Sequence, residues 1–485
     1  MILRCGTVFG LALALGARAA LAQPATLDQA LIAAYNTNPQ ILAERANLRA
    51  VNEGVPKALS GWRPTVVLSG SAGYSSGTER TVAAPTFFSP GGPQYSDISR
   101  DTLTEQATVT QPIFQGGKTR ASVFQARNLV RAERAQLIAT EESVFTSVVS
   151  AYVSVIENRQ LVAVNETNVT VLQQQLQSSE DRFRVGELTQ TDVAQAQAAL
   201  AQGQAQLETA RGNLATALAT YVQVVGQPAA AALSPPQPLV LPVKSAAAAD
   251  AEAAANNPSV VNALFNVAAA KNAVNIAFAA LMPSVSVQFN AFRQDNPTLP
   301  DTRLTGWAAT ADLSVPLYQG GGEYATVRQA KQEQDKAVQT LDNARRAAVQ
   351  QASQAWQTLI AAEAAIISSH AAVAANRIAL EGTEREAIVG TATTLDVLTV
   401  QQNLLTAETT LVQNLASLIT ASYGVAAAIG RLTARDLKLP VPYYDENAYY
   451  RSVRNALFGV GGPAETGNPT GGALPLPPAV PGVKH

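Results

Sequence analysis

Two spacings of hydrophobic residues alternate along this chain of 485 residues. In short segments, apolar residues alternate with Thr, Ser, Gln and Asn at every second position, which is typical of a β-strand with one apolar face. In much longer segments, apolar residues recur at every seventh position, which is typical of helices that pair in a coiled coil. The pattern therefore predicts short strands and long helical hairpins.

The two-residue alternation predicts four strands, at about 64–75, 103–113, 283–293 and 304–317. Strands of about 9 to 11 residues with one apolar and one polar face match the wall of an outer-membrane barrel. A soluble two-layer sheet is the alternative, because its apolar face would turn towards a core. The membrane wall is favoured because the predicted helices are far longer than a small sheet needs as cover.

The seven-residue repeat predicts four long helices, at about 118–184, 191–226, 321–387 and 394–430. A helix the length of the first would reach about 100 Å. Its repeat is carried by Val148, Val155, Val162, Val169, Leu176 and Phe183. A Val-Gly motif separates the helices of each pair, so each pair is predicted to form a hairpin that turns at Val185-Gly186-Glu187 or at Val389-Gly390-Thr391.

The two halves of the chain are copies of one pattern. A common offset of 204 residues relates Gly186 to Gly390, and the same offset relates Asp192 to Asp396 and Phe114 to Tyr318. Near the N-terminus the offset is 219, between Asn38-Pro39 and Asn257-Pro258, in helical segments at 27–59 and 253–281. The extra 15 residues predict a surface loop at 75–102 in the first copy.

These landmarks divide the chain into a first repeat at 23–226, a linker at 227–250 and a second repeat at 251–430. A C-terminal segment follows at 431–459, and the low-complexity tail at 460–485 is predicted to be disordered. Residues 1–22 have the pattern of a secretory signal peptide, with a signal anchor as the alternative. The only cysteine, Cys5, lies within that segment, so the mature chain would contain none.

Composition excludes several classes of function. A net charge of -2 gives no sign of nucleic-acid binding, and charged residues make up only 14% of the chain. His370 is the only histidine before the C-terminal residue, and no metal-ligand, nucleophile or phosphate-binding motif is present. The chain is therefore predicted to be neither an enzyme nor a cofactor- or metal-binding protein.

Each strand pair ends in a related sequence, Gln-Pro-Ile-Phe-Gln-Gly-Gly at 111–117 and Val-Pro-Leu-Tyr-Gln-Gly-Gly at 315–321. Phe114 and Tyr318 suit an aromatic girdle at a membrane edge, and packing in a core is the alternative. Paired glycines allow the backbone to turn from strand into helix. The junction between strands and helices is therefore placed at Phe114, Gly116, Gly117, Tyr318, Gly320 and Gly321.

The order of helix, strand pair and long hairpin, repeated behind a signal peptide, resembles the TolC family of outer-membrane efflux and secretion channels, particularly its alphaproteobacterial members. The resemblance implies an α+β membrane protein, in which three copies give four strands each to one twelve-stranded barrel that continues into a periplasmic α-helical barrel. It also implies contact with outer-membrane lipid, a periplasmic adaptor and an inner-membrane pump of the RND or ABC type. Geometry agrees, since four strands cannot close a barrel and eight leave a filled interior.

The resemblance also assigns roles at the two turns. Asp192 and Asp396 match the aspartates of the family's periplasmic gate, although each has the shape of a helix-capping residue after Thr189 or Thr393. Ala387, Ala392 and Thr399 depart from the family's latch tyrosine, latch arginine and second acidic ring. The sequence therefore leaves the family's latch in question.

The two Val-Gly turns resemble the contact that family members make with their adaptor. A need for glycine at positive φ within each turn is the alternative explanation for Gly186 and Gly390. At the level of the whole chain, the expected function is passive export of drugs or proteins across the periplasm and the outer membrane. A periplasmic coiled-coil scaffold without a pore is the competing hypothesis.

Overall fold

The computed structural model describes residues 25–297 and 301–460. The predicted signal peptide at 1–22 and the tail from residue 461 onwards lie outside the described residues. The first copy consists of α1 (Leu27–Thr37), α2 (Pro39–Asn52), α3 (Gly54–Leu59), β1 (Thr65–Ala83), β2 (Gly92–Gln115), α4 (Lys118–Arg184) and α5 (Gln190–Val225).

The second copy repeats this order with α6 (Ala246–Asn256), α7 (Pro258–Ala279), β3 (Ser284–Asp295), β4 (Arg303–Ser314), α8 (Gly322–Ile388) and α9 (Thr394–Ala428). A short helix, α10 (Ala448–Val453), follows. β4 ends at Ser314 rather than at 317, because Pro316 has no N–H to donate to a neighbouring strand.

Both copies begin with a helix that is interrupted at an Asn-Pro pair. The Asn38 side chain accepts a hydrogen bond from Gln40 N (2.9 Å) and donates one to the Val224 carbonyl (3.0 Å). In the second copy, the Asn257 side chain accepts a bond from Ser259 N at the start of α7. Proline is tolerated at the first position of a helix, so Asn-Pro ends one helix and starts the next.

The chain divides into two compact units. The first comprises residues up to 42 together with 141–249 and 352–441, and the second comprises 43–140, 250–351 and the segment from 442 onwards. The sheet belongs to the second unit, and both hairpin turns belong to the first. α4 and α8 contribute residues to both units.

The four strands form one antiparallel sheet in the order β1-β2-β3-β4. The register aligns Leu68 with Ala107, Ala107 with Ala291, and Ala291 with Trp307. Neighbouring rows on that face also carry apolar residues: Val66, Val109, Val285, Val287, Phe289, Ala309, Ala311 and Leu313. The alternation in the sequence therefore produces one continuous apolar face, on which Leu68 is 81% and Trp307 71% exposed.

The opposite face of the sheet is mainly polar. Asn290 Oδ1 accepts hydrogen bonds from Thr108 Oγ1 (2.8 Å) and Gln106 Nε2 (3.2 Å), and Gln106 Nε2 also donates to Thr108 Oγ1 (3.1 Å). On the apolar face, the rows end at charged residues, where Asp295 accepts from Arg303 (2.6 Å) and Arg293 (3.0 Å). The apolar band thus ends where a lipid-facing surface would meet water.

The surface loop predicted at 75–102 is shorter than expected. β1 and β2 continue as a paired hairpin from Ser75 opposite Arg100 to Ala83 opposite Gly92, so only residues 84–91 form the connection. The prediction was wrong because this part of the hairpin is rich in Gly, Ser and Thr. It is exposed on both faces, so it needs no alternation of apolar and polar residues.

The core of the first unit lies around two buried tyrosines. Tyr152 of α4 and Tyr221 of α5 are both fully buried, with ring centroids 6.3 Å apart. The Tyr152 hydroxyl lies 2.9 Å from the Ala25 carbonyl and 2.8 Å from the Ser234 carbonyl, to which it donates. Of the heptad residues in α4, all except Phe183 are buried or half-buried.

Tyr152 and Arg159 both hold the segment between the two copies against α4. The Arg159 guanidinium donates to the carbonyls of Ala230 and Ala231, both at 2.8 Å. The linker predicted at 227–250 ends earlier, because the alanine-rich residues from Ala246 onwards already belong to α6. These hydrogen bonds therefore hold the linker against the first unit.

Two adjacent carboxylates hold the segment that follows α9. Glu141 accepts a hydrogen bond from Ala434 N (2.6 Å), and Glu142 accepts one from Leu432 N (3.3 Å). Glu142 is buried, and this burial is the main reason why the pKa of its carboxyl is raised to about 8. The hydrogen bond from Leu432 lowers the pKa, whereas the charges of Glu141 and Asp436 raise it. Ionisation of Glu142 at higher pH therefore destabilises the fold at this contact.

Replacing Glu142 by Gln is expected to change how stability depends on pH. A carboxyl whose pKa rises on folding stabilises the native state fully below its unfolded value of 4.5, and this contribution is lost as pH rises through about 8. The free energy of unfolding of the wild-type protein should therefore fall as pH rises across that range, by on the order of a few kcal/mol. Glu142→Gln should remove most of this dependence, since the amide oxygen still accepts from Leu432 N.

The control for this experiment is the same substitution at the exposed Glu363 of α8. Circular dichroism of detergent-solubilised protein at several pH values measures the effect. An unchanged pH dependence in Glu142→Gln would mean that other groups dominate the titration.

Two helices, α8 and α9, are long and apolar enough by length and composition to cross a membrane. Their hydropathy comes from alanine and from heptad leucines, isoleucines and valines, several of which are buried, such as Leu359, Leu404 and Val425. A helix of 67 residues spans about 100 Å, far more than a bilayer core. The membrane crossing is therefore assigned to the strands.

Candidate functional site

The first hairpin turn is closed by backbone hydrogen bonds around Gly186. Gly186 N donates to the Phe183 carbonyl (3.0 Å), and Glu187 N donates to the Arg182 carbonyl (2.9 Å). Gly186 has a φ of +84°, which is a left-handed conformation that favours glycine. A Cβ added there would meet nothing within 4 Å. The turn therefore favours glycine for its backbone conformation and not because a larger residue would clash.

The second turn has the same conformation, with a φ of +82° at Gly390 and Thr391 N bonded to the Glu386 carbonyl at 2.9 Å. The valines that precede the glycines are exposed at both turns, Val185 by 72% and Val389 by 74%. Both predicted contact triplets therefore present an apolar side chain and an open glycine backbone. This arrangement suits close approach by another chain.

The two aspartates occupy matching capping boxes. Asp192 Oδ2 accepts from Thr189 N (2.9 Å) and Thr189 Oγ1 (2.6 Å), and Asp396 Oδ2 accepts from Thr393 N (2.8 Å) and Thr393 Oγ1 (2.7 Å). Each Thr side chain in turn accepts from the backbone N–H of its aspartate. The capping interpretation therefore holds for both residues, and the capping geometry does not distinguish their roles.

Capping also keeps both carboxylates ionised. Hydrogen bonds from Thr189 lower the pKa of Asp192, with a further contribution from the charge of Arg182, and hydrogen bonds from Thr393 lower the pKa of Asp396. Asp396 is exposed and Asp192 is half-buried, so the charge of Asp396 faces solvent more fully than that of Asp192. A residue that caps its helix at neutral pH is thus also a negative charge available to passing ions.

Three positions depart from the family's two latch residues and its second acidic ring, and all three lie in the second hairpin. Thr399 donates its hydroxyl to the Leu395 carbonyl of its own helix (2.8 Å), so it supplies no acidic group. The carbonyl of Ala387, at the C-terminal end of α8, accepts from the Arg182 guanidinium of the first hairpin at 3.4 Å. This contact could not be predicted from the sequence, because its acceptor is a backbone atom 205 residues away.

At the junction of strands and helices, both aromatic side chains are exposed. Phe114 is 50% and Tyr318 78% exposed, which favours the membrane-edge interpretation over core packing. All four junction glycines have positive φ values between +60° and +86°. The sequence pattern therefore located a real change of backbone direction.

Only one junction glycine is also required by close packing. A Cβ at Gly116 would lie 2.7 Å from the Ala279 carbonyl oxygen, whereas one at Gly320 would meet nothing within 4 Å. Their φ values are similar, +60° and +71°. Gly116→Ala should therefore reduce the yield of folded protein more than Gly320→Ala, because both variants carry the same backbone strain but only the first adds a clash with backbone.

Recovery of each variant from outer membranes in heat-resistant form measures this difference. Equal losses for Gly116→Ala and Gly320→Ala would show that backbone strain, and not the contact with α7, decides folding at the junction.

The second unit holds further contacts that sequence reasoning missed. In the segment after residue 442, Tyr449 donates to Glu53 (2.7 Å), Arg45 lies over the Tyr444 ring (5.1 Å) and Arg134 lies over the Tyr450 ring (5.9 Å). The sequence around these tyrosines has no periodicity from which their contacts could be predicted. The pairing of Tyr with Arg residues on separate helices becomes visible only in the folded unit.

A sheet with an exposed apolar face, repeated hairpins and charged hairpin turns together define an outer-membrane channel protein. A family model described as "Outer membrane efflux protein" matches residues 30–227 and 251–431, and the chain belongs to this family. It is a pore-forming efflux or secretion channel of the outer membrane that extends into the periplasm, and the scaffold alternative is not favoured. Proteins of this family are channels rather than enzymes.

Individual relatives agree with this assignment. The chain is 34% identical to the outer membrane efflux protein BepC of Brucella suis over 469 residues, which cover 95% of each chain. It is 24% identical to the outer membrane protein TolC of Escherichia coli over 447 residues, covering 88% of this chain and 86% of TolC. The crystal structure of VceC from Vibrio cholerae superposes with a TM-score of 0.71 at 21% identity, covering 83% of this chain and 96% of VceC.

Proposed function

We propose that three copies of this chain form one conduit, in which three four-stranded sheets close a twelve-stranded barrel in the outer membrane. The observation that carries this proposal is the pair of open sheet edges. Within the described chain, β1 pairs only with β2 and β4 pairs only with β3. In lipid, an unpaired strand edge leaves several backbone groups unsatisfied, so β4 of one copy must pair with β1 of the next.

Three copies are the smallest number that leaves an open pore. A barrel of four strands cannot close, and one of eight strands is filled by its own side chains. Twelve strands would enclose the polar face that carries Gln106, Thr108 and Asn290, and would turn the apolar face towards lipid. A lumen lined by small polar side chains makes few specific demands, which suits export of either drugs or proteins.

Energy for export would come from partners, since no nucleotide-binding motif is present in the sequence. We assign the two hairpin turns, Val185-Gly186-Glu187 and Val389-Gly390-Thr391, to contact with a periplasmic adaptor. The adaptor would connect the channel to an inner-membrane pump of the RND or ABC type. Support comes from the family membership and from the exposed valines and open glycines at both turns.

Asp192 and Asp396 would form the gate and selectivity region. Three copies would bring six carboxylates around the threefold axis, where they attract cations and exclude anions. The charge of Arg182 acts on Asp192, whereas no cation contributes to the lowered pKa of Asp396. Asp396 is therefore expected to contribute more to selectivity than Asp192.

Single-channel recording tests the conduit directly. Purified protein added to a planar lipid bilayer should give discrete, long-lived conductance steps that favour cations. A variant in which Leu68 and Trp307 of the apolar face are both replaced by Glu should fail to insert, because charges on the lipid face are costly. Wild-type protein that is recovered in soluble form from the periplasm and gives no conductance would refute the channel proposal.

A further inference from the structure

Residues 442–460, which belong to the second unit, end in apolar side chains that face solvent. Leu457 is 69% and Phe458 93% exposed, whereas Val453 of α10 is buried. Exposed apolar side chains that adjoin a larger apolar surface mark a contact site. We infer that Leu457 and Phe458 form a lipid anchor, which inserts among the phospholipids of the periplasmic leaflet beside the end of the sheet.

The course of residues 442–460 brings this anchor to the sheet. Three contacts join the segment to the helices that lead into β1, in matching order along both: Arg45 with the Tyr444 ring at 5.1 Å, Glu53 with the Tyr449 hydroxyl at 2.7 Å, and Arg63 with the Ala456 carbonyl at 2.7 Å. The segment therefore runs in the same direction as α2 and α3. Its last contact lies two residues before β1 begins at Thr65.

Other exposed aromatic side chains lie at the same level. Trp62, next to Arg63, is exposed, and its carbonyl accepts a hydrogen bond from Gln111 Nε2 of β2 at 3.0 Å. Gln111 lies three residues before the exposed Phe114. Aromatic residues of a membrane barrel collect where acyl chains meet head groups. The anchor therefore continues a surface that already meets lipid, and the helices on this side place it at the periplasmic leaflet.

The residues around the anchor suit phospholipid head groups. Arg454 is exposed and lies three residues before Leu457, and residues 454–460 include no acidic side chain. An arginine beside a short apolar sequence can keep its cation at the lipid phosphates while the apolar side chains enter the acyl region. A neighbouring copy is the alternative partner for this surface. Lipid is favoured because Arg63 holds Ala456 at the edge of the membrane-facing sheet.

The anchor would connect the membrane surface to two helices of the second unit. Tyr449 donates to Glu53, between α2 and α3, while Arg134 of α4 lies over the ring of Tyr450 at 5.9 Å. Residues 442–460 thus contact the first helices and α4 at one end and lipid at the other. This arrangement stabilises the position of those helices beneath the sheet.

Nitroxide labels test the anchor in protein reconstituted into vesicles of phosphatidylcholine and phosphatidylglycerol. Single cysteines replace Phe458, the exposed Tyr443 at the start of the same segment, and Leu68 on the apolar face of the sheet. Molecular oxygen concentrates among acyl chains, whereas a nickel chelate stays in water. The ratio of oxygen to nickel accessibility at Phe458 should match that at Leu68 and exceed that at Tyr443.

Two outcomes of the labelling experiment would overturn the lipid anchor. One is an equal ratio at Phe458 and Tyr443, which would place the anchor in water. The other is exclusion of both reagents from Phe458, which would place it against a neighbouring copy. If the label at Leu68 also read water, the sheet would not lie in the membrane, and the proposed conduit would fall together with the anchor.

Proteolysis provides a second readout that needs no label. Trypsin cuts after Arg454, so lipid contact at Leu457 and Phe458 should protect this site in vesicles. Leu457→Ser combined with Phe458→Ser should speed cleavage about tenfold, since the segment then leaves the membrane more often. Both side chains are exposed in the chain, so the fold should be retained.

The matched control exchanges the two residues, Leu457→Phe with Phe458→Leu. It keeps the apolar area of the anchor, so it should be cut at the wild-type rate. Cleavage of the serine variant at the wild-type rate would show that protein contacts alone hold the segment, and would overturn the anchor. Neither readout depends on conductance, so a protein that fails to conduct would refute the proposed pore while the anchor is still decided by these measurements.

Discussion

A channel that carries Asp396→Asn is expected to lose most of its preference for cations and most of its block by trivalent cations added from the periplasmic side. The wild-type carboxylate is exposed, and hydrogen bonds from Thr393 lower its pKa, so it is charged at neutral pH. Confined negative charges raise the local concentration of cations, and they attract multivalent cations most strongly. Asparagine removes the charge, while its side-chain oxygen can still accept from Thr393 N.

Two further variants separate the charge of Asp396 from its capping role. Thr393→Val disrupts the capping box but keeps the carboxylate, so selectivity should survive while helix stability falls by about 1 kcal/mol. Asp192→Asn should change selectivity less, because the charge of Arg182 already acts on that site. Reversal potentials in asymmetric salt measure all three variants. Unchanged selectivity and block in Asp396→Asn would leave this residue with capping alone.

Replacing Gly186 or Gly390 by Trp is expected to abolish export while trimers still reach the outer membrane. A Cβ added at either position meets nothing within 4 Å in the described chain, so the turn itself has space where the side chain begins. An approaching partner backbone, however, would meet the indole ring directly. Export should be measured in cells as the accumulation of a fluorescent pump substrate.

The control must account for the backbone conformation of the turns. Both glycines have φ values above +80°, where most side chains add strain but asparagine is tolerated. Gly186→Asn and Gly390→Asn should therefore keep the turn and give a weaker export defect than tryptophan. All four variants should conduct ions normally as purified channels. Full export by the Trp variants at normal trimer levels would contradict docking at the turns.

Most of the architecture could be predicted from the sequence because its two periodicities are strong. The heptad repeat in α4 extends without a proline, and the predicted helix at 118–184 matches Lys118–Arg184. The strands were recognisable wherever one face of the sheet is apolar and the other polar, since a sheet with one face removed from water requires alternation. Beyond the apolar face of the sheet, the strands no longer need to alternate apolar and polar residues. There, the paired residues between Ser75 and Arg100 were mistaken for a loop.

At the candidate site, the sequence located residues but not their connections. The Thr-x-x-Asp pattern predicted both capping boxes, because a cap depends on residues only three positions apart. Arg182 was not recognised, because its partner is a carbonyl on another hairpin and any residue could supply that atom. The same holds for Glu142, whose partner is the backbone N–H of Leu432.

Disulfide crosslinking between strand edges tests the central claim most directly. Cys5 lies within the predicted signal peptide, so the mature chain would offer no competing thiol. A cysteine replacing Ser69 on β1 should be combined with single cysteines along β4, at Gly306, Ala308 or Thr310, and oxidised in outer membranes. The account predicts that at least one pair yields covalent dimers and trimers but no larger species, as expected for three sheets in a closed ring. A ladder that continues beyond three chains, or no crosslink at any β4 position, would contradict the trimeric barrel.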